Sequence, residues 1–168
     1  MIEMTRDEID TLLEQALIGR LCLASPDGRP YCLPFPFCWA NGSVYLRIGL
    51  SGRKGQILRV NDRVCFEVDS FSDTLDDYAS VLIEGRLVPV DDLDEKARIR
   101  QLNDAKYQRL RRGRRAGHGR ATPLEQLPLR KIVVEQLTGR KKESTPTTSA
   151  CLTGARPMDR PLAQAGRP

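Results

Sequence analysis

Two neighbouring cations, Arg53 and Lys54, stand at the start of a short helical pattern in "SGRKGQILRVNDRVCFEVD", residues 51–69. Backbone N–H groups at a helix start, together with the positive end of the helix dipole, form an anion site. An arginine fork beside a lysine point charge favours a phosphate, which carries about −1.5 to −2 charge near neutral pH. Taken alone, the pair reads first as a solvated basic turn and only second as a phosphate site. Other chemistry is thinly represented. The glycines at 49, 52 and 55 follow G-x-x-G-x-x-G, and no G-x-G-x-x-G, Walker loop, H-E-x-x-H or G-x-S-x-G occurs. The single histidine, His118, lies in a basic glycine-containing stretch, which leaves a Ser-His-Asp triad or a Cys/His zinc site little to stand on. Asp76-Asp77 and Asp91-Asp92 read as turn and cap residues rather than an acid/base pair. No catalytic residue is identified, and no metal site is expected.

Five cysteines without a C-x-x-C pair argue against a disulfide framework. Cys22, Cys32, Cys38 and Cys65 lie in strand-like runs, where free cysteine behaves as a small buried hydrophobe. A redox role for Cys38 would need a polar, cationic setting.

The net charge of +5 is local. "KYQRLRRGRRAGHGR", residues 106–120, holds seven Lys/Arg and no acid, and removing those seven leaves 20 basic against 22 acidic residues. The body is therefore near neutral. Nucleic-acid binding through 106–120 is the weakest-supported reading, because Tyr107 is its one aromatic residue available for stacking. No apolar run approaches the roughly 20 residues of a membrane span. The start, "MIEMTRDEID", is acidic and amphipathic, unlike a secretory signal. A cytoplasmic location is expected.

The elements that would position the cations follow from local patterns. Thr5 with Glu8 forms a capping box, and Ile9, Leu12, Leu13, Ala16 and Leu17 give a helix over 5–17 one apolar face. "GRLCLAS" is a strand, "PDG" a turn and "RPYCLPFPFCWA" a second strand, whose prolines require an edge, a bulge or a ligand-facing stretch. "NG" at 41–42 marks a hairpin into "SVYLRIG", with Trp39 and Tyr45 packing beside it. A helix over about 52–60 leads to "RVCFEVDSF" and "YASVLIEGRLVPV", the latter bent at Gly85. "DDLDEKARIRQLNDAKYQRLRR" has acids first and bases last, as a helix dipole prefers; Leu93, Ala97, Leu102 and Leu110 form its thin apolar stripe. "PLRKIVVEQLTGRK" is a sixth strand. The expected fold is mainly β with peripheral helices, a six-stranded antiparallel barrel. The domain spans 1–142, and the tail 143–168, with four prolines and no aromatic residue, is expected to be disordered.

The D-G hairpin, "GRPYCLPFPF", the N-G hairpin, "VYLRIG", the Arg-Lys helix start, "LIEGRLVPVDD" and "LTGRKKE" together resemble the FMN-binding split β-barrel superfamily, the pyridoxamine 5′-phosphate oxidase-like proteins. The branch is similar to nitroimidazole-reductase-like members. The resemblance covers about residues 5–142 and is densest over 28–90. It implies that Arg53 and Lys54 grip the FMN phosphate. Leu33, Pro34, Phe35, Pro36 and Phe37 would line the isoalloxazine, Arg47 and Ile48 would contact the cofactor, and Ser80 would reach the flavin from a neighbouring strand. It also implies a homodimer in which both chains build each site. The chain departs from the family in two places. No C-terminal Arg-x-His substrate element follows residue 121, which argues against pyridoxamine phosphate oxidation. Arg47 stands where nitroimidazole-reductase-like members often have histidine. The resulting expectation is an FMN-dependent oxidoreductase that couples a reduced electron donor to a small-molecule substrate. Alternatives are a non-catalytic flavin-binding protein, or the same barrel holding a deazaflavin or heme.

Overall fold

The computed structural model describes residues 1–73, 76–108 and 122–142. Its elements in chain order are β1 (Ile2–Glu3), α1 (Arg6–Gln15), β2 (Ile18–Ala24), β3 (Pro30–Pro36), β4 (Cys38–Ala40), β5 (Ser43–Arg47), α2 (Gly52–Val60), β6 (Arg63–Phe71), β7 (Tyr78–Pro89), α3 (Leu93–Tyr107) and β8 (Leu129–Lys142). The strands form one antiparallel sheet in the order β3-β2-β6-β7-β8-β5-β4, with β1 added to β8. The sheet curls into a split barrel around a core of alternating residues, among them Leu21, Leu23, Val64, Phe66, Val68, Val81, Ile83 and Ile132.

Local chemistry accounts for several elements. Thr5 caps α1, with Glu8 N–H donating to its Oγ1 and the Glu8 carboxylate accepting from Thr5 N–H. Ile9 and Leu13 of α1 are buried, whereas Leu17 lies beyond the helix and is exposed. Asn41 and Gly42 take φ of 49° and 68°, the left-handed pair that a two-residue hairpin turn requires. The bend expected at Gly85 is a bulge, where the β7–β8 register shifts between Glu84 and Gly85.

Eight strands replace the six expected. One addition is the two-residue β1. The other arises because "RPYCLPFPFCWA" breaks at Phe37 into β3 and β4, which occupy opposite ends of the sheet order. Phe37 therefore lacks a ladder partner at the crossover, although its side chain is fully buried against Phe66, ring centres 5.1 Å apart. Tyr107 replaces the missing ladder. Its hydroxyl accepts from Phe37 N–H at 2.9 Å and offers its proton to the carbonyls of Phe37 and Leu17. Buried backbone groups must be paired, and here one side chain pairs both.

The predicted stripe of the long helix is corrected by the structure. Leu93 and Leu102 are exposed, and the buried residues of α3 are Lys96, Ile99 and Tyr107. Ile99 is the residue that α3 adds to the second core, where it joins Cys38, Tyr45, Val90, Leu127 and Leu129. Leu110, most of the basic segment including His118, and the tail 143–168 lie outside the described residues. No described helix is long and apolar enough to cross a membrane.

Candidate functional site: a cationic helix start beside an edge strand

The last residue of β5, Arg47, is exposed, and five residues later the chain reaches Gly52 at the start of α2. Ile48, between them, is 1% exposed and donates its N–H to the Pro128 carbonyl at 2.9 Å, which anchors the connection. At the helix start Ser51 makes no side-chain capping bond. Gly52 takes φ +66°, and no atom lies within 4 Å of where a Cβ would stand. The first turn holds no acid. The first-turn N–H groups thus carry the positive end of the helix dipole with neither a side-chain cap nor an acid from the turn itself, a setting that suits an anion.

The Arg53 guanidinium lies 4.6 Å from the centre of the Tyr31 ring. The ring orients the guanidinium while leaving it exposed. Asp27, in the β2–β3 turn, has its carboxyl held below the usual carboxylate range, first by the Ser25 hydroxyl and in smaller part by the Arg53 charge. Lys54 is half-buried and bonds the Ser51 carbonyl at 3.3 Å, which keeps its ammonium within the same first turn. Ile57 and Leu58 bury the other side of α2, and Arg59 closes its base on the Leu50 carbonyl at 3.1 Å.

β3 is the edge of the sheet, which is where its prolines belong. Alternation divides its residues between faces. Leu33 pairs with core Leu21 and stands with Tyr31 and Phe35 on the half-buried face. Pro34 and Pro36 are exposed on the outer face, in line with Arg20 and Ile18. Phe37 is wholly in the core. Ser80 belongs to the outer face of β7, paired with Asp69 and separated from β3 by β2 and β6. One chain therefore gathers Arg53, Lys54, Leu33 and Phe35 at one edge, with Arg47 on the connection leading to it. Pro34, Pro36 and Ser80 stand on the reverse of the sheet.

Tyr31 is a member of this site that the motif did not single out. The signal was available: period-two alternation from Leu33 and Phe35 puts Tyr31 on their face.

The other candidates are structural. Asp92 caps α3, accepting from Glu95 N–H at 2.6 Å. Cys38 is 4% exposed, and burial pushes its thiol up, away from a reactive thiolate. Trp39 donates to Asp10 at 2.9 Å beneath the Arg6 guanidinium, a packing role. Cys32 departs from the expected burial and is exposed. No cluster of three or more metal-ligating side chains occurs among the described residues. A groove of about 700 Å³ on the outer face is lined by Cys22, Cys65, Asn61, Arg63, Glu84 and Glu135, away from α2's first turn, and its arginine is spent on Glu135 at 3.1 Å.

No curated protein matches the chain in sequence. Several solved structures share its fold. A proposed 5-nitroimidazole antibiotic resistance protein from Bacteroides thetaiotaomicron superposes with a TM-score of 0.63 at 21% identity, covering 83% of this chain and 86% of the other. An FAD-binding protein from Mesorhizobium loti gives 0.62 at 24% identity, covering 84% and 98%. A heme-binding protein from Mycobacterium smegmatis gives 0.59 at 15% identity, covering 82% and 54%. The pyridoxamine 5′-phosphate oxidase family profile matches residues 5–141. With that match spanning most of its length, and with the split barrel that it folds into, the chain belongs to the pyridoxamine 5′-phosphate oxidase-like family.

Proposed function

We propose that this chain is an FMN-binding oxidoreductase that works as a cytoplasmic homodimer, taking reducing equivalents from a reduced donor and passing them to a small-molecule acceptor. The observation that carries the reading is the uncapped start of α2, where Arg53 is stacked on Tyr31 at 4.6 Å and Lys54 is tied to the same turn. These residues fit a terminal phosphate: a fork and a point charge stand in one helix turn whose N–H groups have no side-chain cap, with Asp27 the acid nearest to the fork. When bound, the flavin supplies reversible hydride acceptance, and the protein supplies orientation and electrostatics.

Each residue then has a role set by its place. Arg53 and Lys54 hold the phosphate dianion. Leu33 and Phe35 give the ring an apolar neighbour on the half-buried face, and Arg47 adds a cation on the approach to α2. Pro34 and Pro36 remove two N–H donors from the edge, so a flat apolar ring could lie there without stranding a donor. Ser80, on the reverse face with β2 and β6 between it and β3, would reach such a site from a second copy, which is why a homodimer is part of the proposal.

The test is the absorption spectrum of the purified protein, followed by titration with FMN and with riboflavin. Flavin bands and a clear preference for FMN support the reading. The Mycobacterium smegmatis neighbour makes a second outcome specific: a heme spectrum would overturn it in favour of a heme site in the same barrel. A deazaflavin spectrum would change the ligand only. Bound flavin that no electron donor can reduce would leave a binding protein rather than an enzyme.

A further inference from the structure

The outer face carries a row of thiols that the flavin reading does not use. Cys32, Cys22 and Cys65 are direct cross-strand partners on β3, β2 and β6, and the sulfurs of Cys22 and Cys32 are 3.3 Å apart.

The two pairings of Cys22 differ. Antiparallel strands alternate between narrow, non-hydrogen-bonded pairs and wide, hydrogen-bonded ones. Pro30, Pro34 and Pro36 share the parity of Cys32 along β3 and have no N–H to give β2. Cys22–Cys32 is therefore a narrow pair, and the ladder side of Cys22 faces β6, which makes Cys22–Cys65 a wide one. A Cα separation of about 4.5 Å for a narrow pair lies within the 4.4–6.8 Å that a disulfide spans.

Environment separates the two partners. Cys32 is exposed and Cys22 half-buried. Burial, and then the hydrogen bond to Cys32, pushes the Cys22 thiol up to about 12. Cys22 thus keeps its proton and donates it toward the sulfur of Cys32, the partner that solvent and a small disulfide can reach. Burial also pushes Cys65 up.

We propose that Cys32 and Cys22 form a thiol–disulfide exchange site for low-molecular-weight disulfides, with Cys32 as the attacking sulfur and Cys22 as the resolving one. The Cys32 thiolate attacks one sulfur of RS–SR, so that a Cys32–SR bond forms, the external bond breaks and one RS⁻ leaves. Cys22 then gives up its proton and attacks the Cys32 sulfur. The Cys22–Cys32 bond forms and the second RS⁻ leaves. The pair loses two electrons and two protons, and RS–SR becomes two RSH.

The experiment treats the full chain with glutathione disulfide and reads intact mass, followed by cleavage before Asp27, which separates Cys22 from Cys32. A loss of two hydrogens and a peptide pair joined through Cys22 and Cys32 are expected. Cys22→Ser should stop at a stable glutathione adduct on Cys32, Cys32→Ser should abolish the cross-link, and Cys65→Ser should react as the wild type does. A bond to Cys65, a glutathione adduct that persists on wild-type Cys32, or no reaction at either sulfur would overturn the proposal.

Discussion

Two cations lie over aromatic rings at the two ends of β3, and the molecule uses them in opposite ways. Just past its last residue, the Lys106 ammonium stands 4.2 Å from the centre of the Phe37 ring and donates to the Leu13 carbonyl at 3.2 Å. It is half-buried, and burial lowers its pKa. Near its first residue, Arg53 stands 4.6 Å from the Tyr31 ring, exposed, and no hydrogen bond among the described residues holds its guanidinium. The same pairing of charge and π-face is consumed at one end in fixing the crossover. At the other end its donors point into solvent. A cation over a ring marks a ligand site only where the rest of its hydrogen-bonding capacity is left open.

The largest expected effect breaks the solvent end alone. Each charge-assisted hydrogen bond contributes about 1.5–3 kcal/mol, roughly ten- to a hundredfold in affinity. Arg53→Ala and Lys54→Ala should each weaken FMN binding by that factor, and the pair together should remove most of it. Riboflavin affinity and the urea midpoint should stay nearly constant. Parallel losses for FMN and riboflavin would mean that the pair is structural, as at the other end.

Tyr107→Phe tests the crossover end. The Phe37 N–H would be left buried and unpaired, which costs about 1–3 kcal/mol by urea unfolding. FMN affinity of the folded protein should hold. A fall in affinity matching that of the Arg53 variant would show the two ends to be coupled.

Lys106→Met probes the same end through pH. Burial favours the neutral amine, so the folded-state pKa lies below the ordinary 10.5. Between that lowered value and 10.5 the unfolded chain holds a proton that the folded chain has lost, and stability rises with pH. The wild type should therefore gain stability relative to Lys106→Met as pH rises from neutral into the alkaline range. Cys38 and Tyr107, both pushed up by burial, titrate in both proteins. A difference that stays flat across the range would place the ammonium in a solvent-like setting.

The smallest expected effect is none. Replacing Arg111, Arg112, Arg114 and Arg115 with Gln should leave the flavin spectrum unchanged, because the proposed phosphate site is on α2. Weakened FMN binding would bring the basic segment into the site and blur the contrast between the two ends.

Much of the positioning framework was legible because it depends on neighbours in sequence. The Thr5–Glu8 box, the Asn41-Gly42 turn, the helix at Gly52–Val60 and the Asp92 cap each need only a few consecutive residues. What escaped depends on distant partners. Pro34 and Pro36 announce an irregular strand but do not fix its break at Phe37, where the hydroxyl that pairs the freed backbone groups comes from 70 residues away. The buried face of α3 was misjudged for the same reason, since Lys96 and Tyr107 are polar by type and buried by context. At the candidate site, Arg53 and Lys54 were visible as a motif, and Tyr31 became visible only when β3 was given its faces.

The prolines of β3 also carry a rule for assembly. On an edge strand, every second residue presents its N–H outward, and here those positions are Pro30, Cys32, Pro34 and Pro36. Three of the four have no hydrogen to offer, so this margin retains a single outward donor, at Cys32. A strand from another molecule could not be stitched on here, because the ladder would miss most of its rungs. Two copies meeting at this margin must touch through side chains and share no continuous sheet, and a polymer growing by strand addition is blocked at the same place.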